Sequence, residues 1–139
     1  MAVPIRELEQ EIAEEFDLFE DQMEKYEYLI DVGKKLAPLP QQYLTEDYLV
    51  KGCQSKVWLH AYHQDGRIFY EADSNTAITK GIIALLIRVL SGQKTQDILD
   101  CPLGFIDRIN LRAHLSSQRT NGLSAMVQKM KAYAAAYHQ

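Results

Sequence analysis

The sequence predicts an α+β fold: a small antiparallel sheet of about three strands, a meander, packed against several helices. Three observations predict it. Apolar residues recur at helical spacing at both ends of the chain. A tight hairpin signal, Asp65-Gly66 between two alternating runs, sits in the middle. The strands cluster instead of alternating with helices, which argues against a parallel α/β sheet.

The elements follow in order. Residues 6–20 place Leu8, Ile12, Phe16 and Phe19 on one helical face. Residues 22–36 repeat the pattern with Met23, Tyr26, Leu29, Ile30, Gly33 and Leu36, and Pro38 and Pro40 stop it. Both stripes read as helix packing. Residues 38–52 read as a loop, with Tyr48-Leu49-Val50 as a candidate third strand.

Val57 to Gln64 and Arg67 to Asp73 then flank a two-residue type I′ turn. That register sets His63 opposite Ile68, Tyr62 opposite Phe69, Ala61 opposite Tyr70 and His60 opposite Glu71. One face carries Val57, Leu59, Ala61, Ile68, Tyr70 and Ala72, which suits a core. The other carries Trp58, His60, Tyr62, Phe69 and Glu71, to be covered by a loop or offered to a partner.

Residues 76–91 read as a buried helix, because the run is too long for a strand and has polar boundaries. Thr95 is expected to cap a short helix through Leu99. Residues 103–118 look mixed, with one or two helical turns. The last helix starts near Thr120 and carries Leu123, Met126, Val127, Met130, Tyr133 and Tyr137 at helical spacing.

A chain of 139 residues is expected to form one domain, residues 1–139. Net charge is −4 at pH 7 and no dense basic stripe appears, which argues against nucleic acid as a partner. No apolar run is long enough to span a bilayer, so no membrane is expected. No signal peptide is read at the start, and the expected location is cytoplasmic.

The segment that carries chemistry is Lys51-Gly52-Cys53-Gln54-Ser55-Lys56-Val57-Trp58. Buried structural cysteines sit in apolar runs and behave as small hydrophobes. Cys53 instead follows a glycine and lies between two lysines. Gly52 permits positive φ and leaves space beside the sulfur. Lys51 and Lys56, held close, favour a thiolate. Gln54 and Ser55 offer hydrogen bonds to an anionic sulfur. No nucleophile–base order is evident, and His60, His63, His114 and His138 lack metal-ligand spacing, so no metal site is expected. The residues alone leave two readings open: a thiol that accepts and donates by exchange, or an inert cysteine at a strand edge.

The stretch Gly52-Cys53-Gln54-Ser55-Lys56-Val57-Trp58 resembles the hallmark of the SufE family, the sulfur acceptors of iron–sulfur cluster assembly. Three further segments agree in order. They are Tyr28 to Leu36, Asp73 to Gly81, and Ser117 to Leu123, which contains Arg119. The resemblance spans roughly residues 20–137. It implies the fold shared with the IscU/NifU scaffold proteins. It also implies that Cys53 takes persulfide sulfur from a cysteine desulfurase of the SufS/CsdA kind and stimulates that enzyme. An iron–sulfur scaffold such as SufBCD is the implied downstream acceptor. Such a protein is a sulfur carrier and activator, not a stand-alone enzyme. It needs no cofactor of its own, since the pyridoxal phosphate belongs to the desulfurase.

Arg119 is the second candidate, an arginine at a helix start that would help hold an anionic sulfur, or else pair with a carboxylate. Asp73 and Lys80 are candidates for positioning the loop or a partner, with a structural role as the plainer reading. Trp58 reads as packing and Cys101 as structural or incidental. A cluster scaffold shares the expected fold but needs several thiolate ligands, and only Cys53 carries the motif. A desulfurase adaptor that takes no sulfur, and delivery of sulfur to another acceptor such as a transfer-RNA modification route, remain as alternatives.

Overall fold

The computed structural model describes residues 3–52, 55–102 and 117–137, with side chains in the last segment from Leu123 onward. The described elements are helices α1 (Ile5–Asp17) and α2 (Gln22–Lys34), two short 3-10 turns (Gln41–Tyr43 and Glu46–Tyr48), strands β1 (Val57–Gln64) and β2 (Arg67–Ser74), helix α3 (Ala77–Leu90), strand β3 (Gln93–Lys94), and helices α4 (Thr95–Asp100) and α5 (Ser117–Tyr137). The sheet is antiparallel in the order β1-β2-β3. The α+β architecture expected from the sequence is the one found.

The hairpin follows the predicted register, with His60 opposite Glu71, Ala61 opposite Tyr70, Tyr62 opposite Phe69 and His63 opposite Ile68. Its turn has positive φ at both central residues, 54° at Asp65 and 78° at Gly66, as a type I′ turn requires. The alternation buries Val57, Leu59, Ala61, Ile68, Tyr70 and Ala72 on the core side.

The third strand lies elsewhere than the sequence suggested. β3 pairs with β2 through Arg67–Lys94 and Ile68–Gln93. The Tyr48-Leu49-Val50 segment forms only an isolated bridge, Leu49 to Trp58, on the opposite edge of the hairpin. Two residues are too few to show a period of two, so β3 left no mark in the sequence pattern.

Helix α3 is the centre of the core. Nine of its residues are buried, including Ile82, Ile83, Leu85, Leu86 and Leu90. It crosses α2 at Gly33 and Gly81 with no side chain between the backbones. A Cβ built on Gly33 would lie 2.7 Å from the Gly81 nitrogen, and one on Gly81 would lie 2.8 Å from Leu29 Cγ. Helix α1 adds Ile12, Ala13 and Phe16 to the core. Its Glu15 forks onto Arg88 of α3, at 2.8 Å to Nη1 and 2.5 Å to Nη2, and also accepts the Tyr28 hydroxyl of α2.

Helix α5 buries Leu123, Met126, Met130 and Ala134. Two tyrosines fasten it to the sheet. Tyr70 donates to the Met130 carbonyl at 2.6 Å, and Tyr133 to the Leu59 carbonyl at 2.9 Å. Burial pushes both phenol pKa values up.

Several smaller expectations change. Met23, on the apolar stripe of α2 by its spacing, is 64% exposed, because the contact with α3 runs through Leu29 and Gly33. The cap position of α4 falls on Lys94, and Thr95 is its first helical residue. Helix α5 begins three residues before Thr120, at Ser117. The expected turns of residues 103–116 lie outside the described residues. Among the described residues no helix is long and apolar enough to cross a membrane.

Candidate functional site

Cys53 and Gln54 lie outside the described residues. Their neighbours on both sides are described, and they define how the cysteine loop is held. The base is the backbone bond from Val50 N–H to the Val57 carbonyl, at 2.8 Å. With the Leu49–Trp58 bridge beside it, this bond joins the chain before Lys51 to the start of β1. A candidate strand by sequence is therefore the near arm of the site.

The far arm is fixed to the turn between β2 and α3. Lys56 N–H donates to Asn75 Oδ1 at 3.0 Å, and the Lys56 carbonyl accepts from Asn75 N–H at 3.2 Å and from the Ser74 hydroxyl at 2.9 Å. The Ser55 hydroxyl accepts from Thr76 at 2.9 Å and from Thr79 at 3.4 Å. Thr76 occupies the N-cap position of α3, yet its side chain makes no capping bond to the helix. An N-cap threonine ordinarily accepts from a first-turn N–H. Here its hydroxyl is turned toward the cysteine loop.

The near arm bends at Gly52, whose φ is 94°. Left-handed backbone of this kind disfavours a side chain. Space gives a second reason: a Cβ on Gly52 would lie 3.3 Å from the Ala125 Cβ of α5. The loop thus rests against the helix that carries Arg119, six residues before Ala125. The Arg119 side chain lies outside the described residues.

Asp73 and Lys80, singled out separately, pair with each other at 3.2 Å. Asp73 also accepts from Ser74 N–H at 2.8 Å. They brace the turn that grips Ser55 and Lys56. Lys51 and Lys56 are exposed on either side of the cysteine. Cys101 is buried at 5% exposure, in keeping with a structural reading, and Trp58 is half-buried. Among the described residues no group of three or more histidine, cysteine, aspartate or glutamate side chains is placed to hold a metal ion.

The second face of the hairpin is partly covered. Tyr43 stacks on His60 with ring centres 3.8 Å apart, and Tyr48 meets the same ring edge-on at 5.7 Å. His60 Nδ1 also lies 3.0 Å from Glu71 Oε1. Tyr62, stacked on Phe69, stays 41% exposed. The loop over His60 is the one that becomes the near arm of the cysteine loop. Sequence reading missed Thr76 and Thr79 as supports of the site. The one available signal was a pair of hydroxyl residues three apart at the start of an otherwise apolar helix.

A family model described as SufE, Fe-S metabolism associated domain, matches residues 10–134. This chain belongs to the SufE family. It is 40% identical over 132 residues to SufE-like protein 1, chloroplastic/mitochondrial, of Arabidopsis thaliana, a match covering 92% of this chain and 36% of that protein. The chain thus spans about a third of that relative's length. An uncharacterized SufE-like protein of Rhizobium meliloti (strain 1021) is 34% identical over 89% of this chain and 92% of its own. Another from Synechocystis sp. (strain ATCC 27184 / PCC 6803 / Kazusa) is 33% identical, over 91% of this chain and 79% of its own. The solution structure of a hypothetical protein from Thermus thermophilus superposes with a TM-score of 0.77 at 22% identity, covering 96% of both chains. That likeness shows a shared fold. A general role in sulfur transfer within iron–sulfur metabolism goes with the family.

Proposed function

We propose that this protein is the sulfur acceptor of a cysteine desulfurase, with Cys53 as the residue that takes the sulfur. The proposed setting is the cytoplasm, where thiols stay reduced, and the proposed unit is one domain. Cys53 attacks, as a thiolate, the terminal sulfur of a persulfide carried on the desulfurase. The sulfur–sulfur bond on the partner breaks as a new one forms on Cys53. The partner's cysteine leaves as a thiolate, ready for another turnover. No external oxidant or reductant is needed, because one persulfide replaces another. The exchange rate follows thiolate fraction, nucleophilicity and access. The sulfur then passes to an iron–sulfur scaffold.

The observation that carries this reading is the way Gly52, Ser55 and Lys56 are held. A strand-edge cysteine with no task has no use for a positive-φ glycine against one helix and a hydroxyl chain to another. The hydroxyl anchor lies in one segment of the family motif set, Asp73 to Gly81, and Ala125 lies two residues beyond another, Ser117 to Leu123. Lys51 and Lys56 favour the thiolate and the anionic persulfide. Arg119 is proposed as a third cation for that sulfur.

The test mixes the purified protein with a matched desulfurase and cysteine. Mass spectrometry should show one added sulfur on Cys53, and desulfurase turnover should rise. Cys53→Ser should lose both. If turnover still rises with Cys53→Ser, the protein is an adaptor that takes no sulfur. Neither added mass nor faster turnover with the wild type would end the proposal.

A further inference from the structure

Three hydroxyls meet where the far arm of the cysteine loop touches α3. Ser55 Oγ lies 2.9 Å from Thr76 Oγ1 and 3.4 Å from Thr79 Oγ1. Thr79 stands in the first turn of α3 and is only 7% exposed. Among the described residues, Ser55 is the hydrogen-bond partner of its hydroxyl. A buried hydroxyl proton without an acceptor is costly, so Thr79 donates to Ser55. Thr76 makes no capping bond to its own helix and donates to the same oxygen.

A serine oxygen carries two lone pairs and one proton. With both lone pairs turned to α3, the Ser55 proton points away from that helix. The next carbonyl along the chain, that of Lys56, already accepts from Asn75 N–H and from the Ser74 hydroxyl. The Lys56 N–H is held by Asn75 Oδ1. Among the described residues these bonds leave the Ser55 proton uncommitted, two residues after Cys53 in the chain.

We propose that Ser55 donates this proton to the sulfur on Cys53, and that Thr76 and Thr79 are the positioning residues that aim it. This rests on the sulfur-acceptor reading and adds the residues that prepare its thiolate. A thiolate accepts such a bond far better than a thiol does, so the bond favours the charged, reactive form. No proton is transferred, and the serine stays a hydroxyl throughout. Lys51 and Lys56 act on the sulfur through charge, which salt screens, whereas the hydroxyl acts by direct contact.

The test is the rate at which iodoacetamide alkylates Cys53 in the isolated full chain, followed across pH by mass spectrometry. Ser55→Ala should react about fivefold more slowly at pH 7, with its rate profile displaced to higher pH. The double variant Thr76→Val/Thr79→Val keeps the serine and should be displaced the same way, by about threefold in rate at pH 7. Thr76→Ser, which keeps the hydroxyl, should match the wild type. In a Ser55→Ala background the two valines should change nothing further, because the threonines act through Ser55. Circular dichroism checks that each variant is folded. A wild-type profile in Ser55→Ala or in the double variant overturns the proposal, as do valine effects that add to those of Ser55→Ala. A displaced profile in Thr76→Ser overturns it too. The expected displacements, in a chain that gains no sulfur from a matched desulfurase, support the hydroxyl assignment and remove the sulfur-acceptor reading instead.

Discussion

The hydroxyl of Thr76 donates to the hydroxyl of Ser55 across 2.9 Å, joining the start of α3 to the loop that contains Cys53. Thr79, 7% exposed, donates to the same oxygen at 3.4 Å. A helix cap has in effect been given over to the site. Replacing Ser55 with alanine leaves both threonines without this acceptor and should cost roughly 1 kcal/mol. The larger effect is expected locally. Amide exchange at residues 55 and 56 should quicken in Ser55→Ala and in Thr76→Val, while the core strands stay protected. Equal protection in wild type and variants would show that the hydroxyl chain does not hold the loop.

Gly52 is under two constraints, its positive φ and its closeness to Ala125. Gly52→Ala should destabilise the chain by about 1–2 kcal/mol through backbone strain. It should also slow sulfur loading of Cys53, since the loop must shift away from α5 to relieve the contact. Urea denaturation and timed mass spectrometry measure the two effects. Unchanged loading would detach Gly52 from the proposed function and leave it a purely structural glycine.

The Gly33–Gly81 crossing leaves no space for a methyl group. Gly81→Ala drives a carbon to 2.8 Å from Leu29 Cγ and 3.0 Å from the Leu29 carbonyl carbon. Helices α2 and α3 must then separate, at a cost of about 1–3 kcal/mol. The alanine's better helix propensity recovers about 1 kcal/mol at most. The urea midpoint should therefore fall. A midpoint equal to or above wild type would contradict the close crossing.

Glu15 has its carboxyl pKa held below the ordinary 4.5, chiefly by its hydrogen bond to Arg88. A carboxyl lowered in the fold contributes stability that is fully present above its unfolded pKa. That contribution is lost as pH falls through the folded value. Urea midpoints should therefore be flat from pH 7 to about 5 as far as this group is concerned, and decline below the ordinary carboxylate range. Glu15→Gln should show a shallower acid decline and a lower midpoint at pH 7. At the alkaline end, burial and the bond to Glu15 raise the Tyr28 phenol to about 12. Its contribution should persist up to the ordinary tyrosine range and fade as pH approaches 12.

The hairpin was fully legible in the sequence. Asp65-Gly66 specifies one turn type, and that turn sets every pair from Val57–Ser74 to Gln64–Arg67. Helices α1, α2 and α5 were legible because their apolar residues repeat at helical spacing, and α3 because its apolar run is too long for a strand and has polar boundaries. β3 was not legible. It exists because Gly92 N–H reaches the Ile68 carbonyl at 2.6 Å and Arg67 donates to the Gly92 carbonyl at 3.0 Å, long-range bonds without a local pattern. At the site, Cys53, Gly52 and Ser55 stood out by their local composition. Asp73 and Lys80 were noticed without their pairing, which needs a strand end and a helix turn to meet.

The sequence by itself determined the family, the fold class, the hairpin register and the residue at the centre of the proposed chemistry. These depend on short-range matters: turn chemistry, periodicity, and a motif of seven adjacent residues. Tertiary structure alone decided what holds that motif. Ser55 meets Thr76 from 21 residues away. Gly52 meets Ala125 across more than half the chain. Such contacts are made by the packing of α3 and α5 around the hairpin, and no local pattern in the chain encodes them.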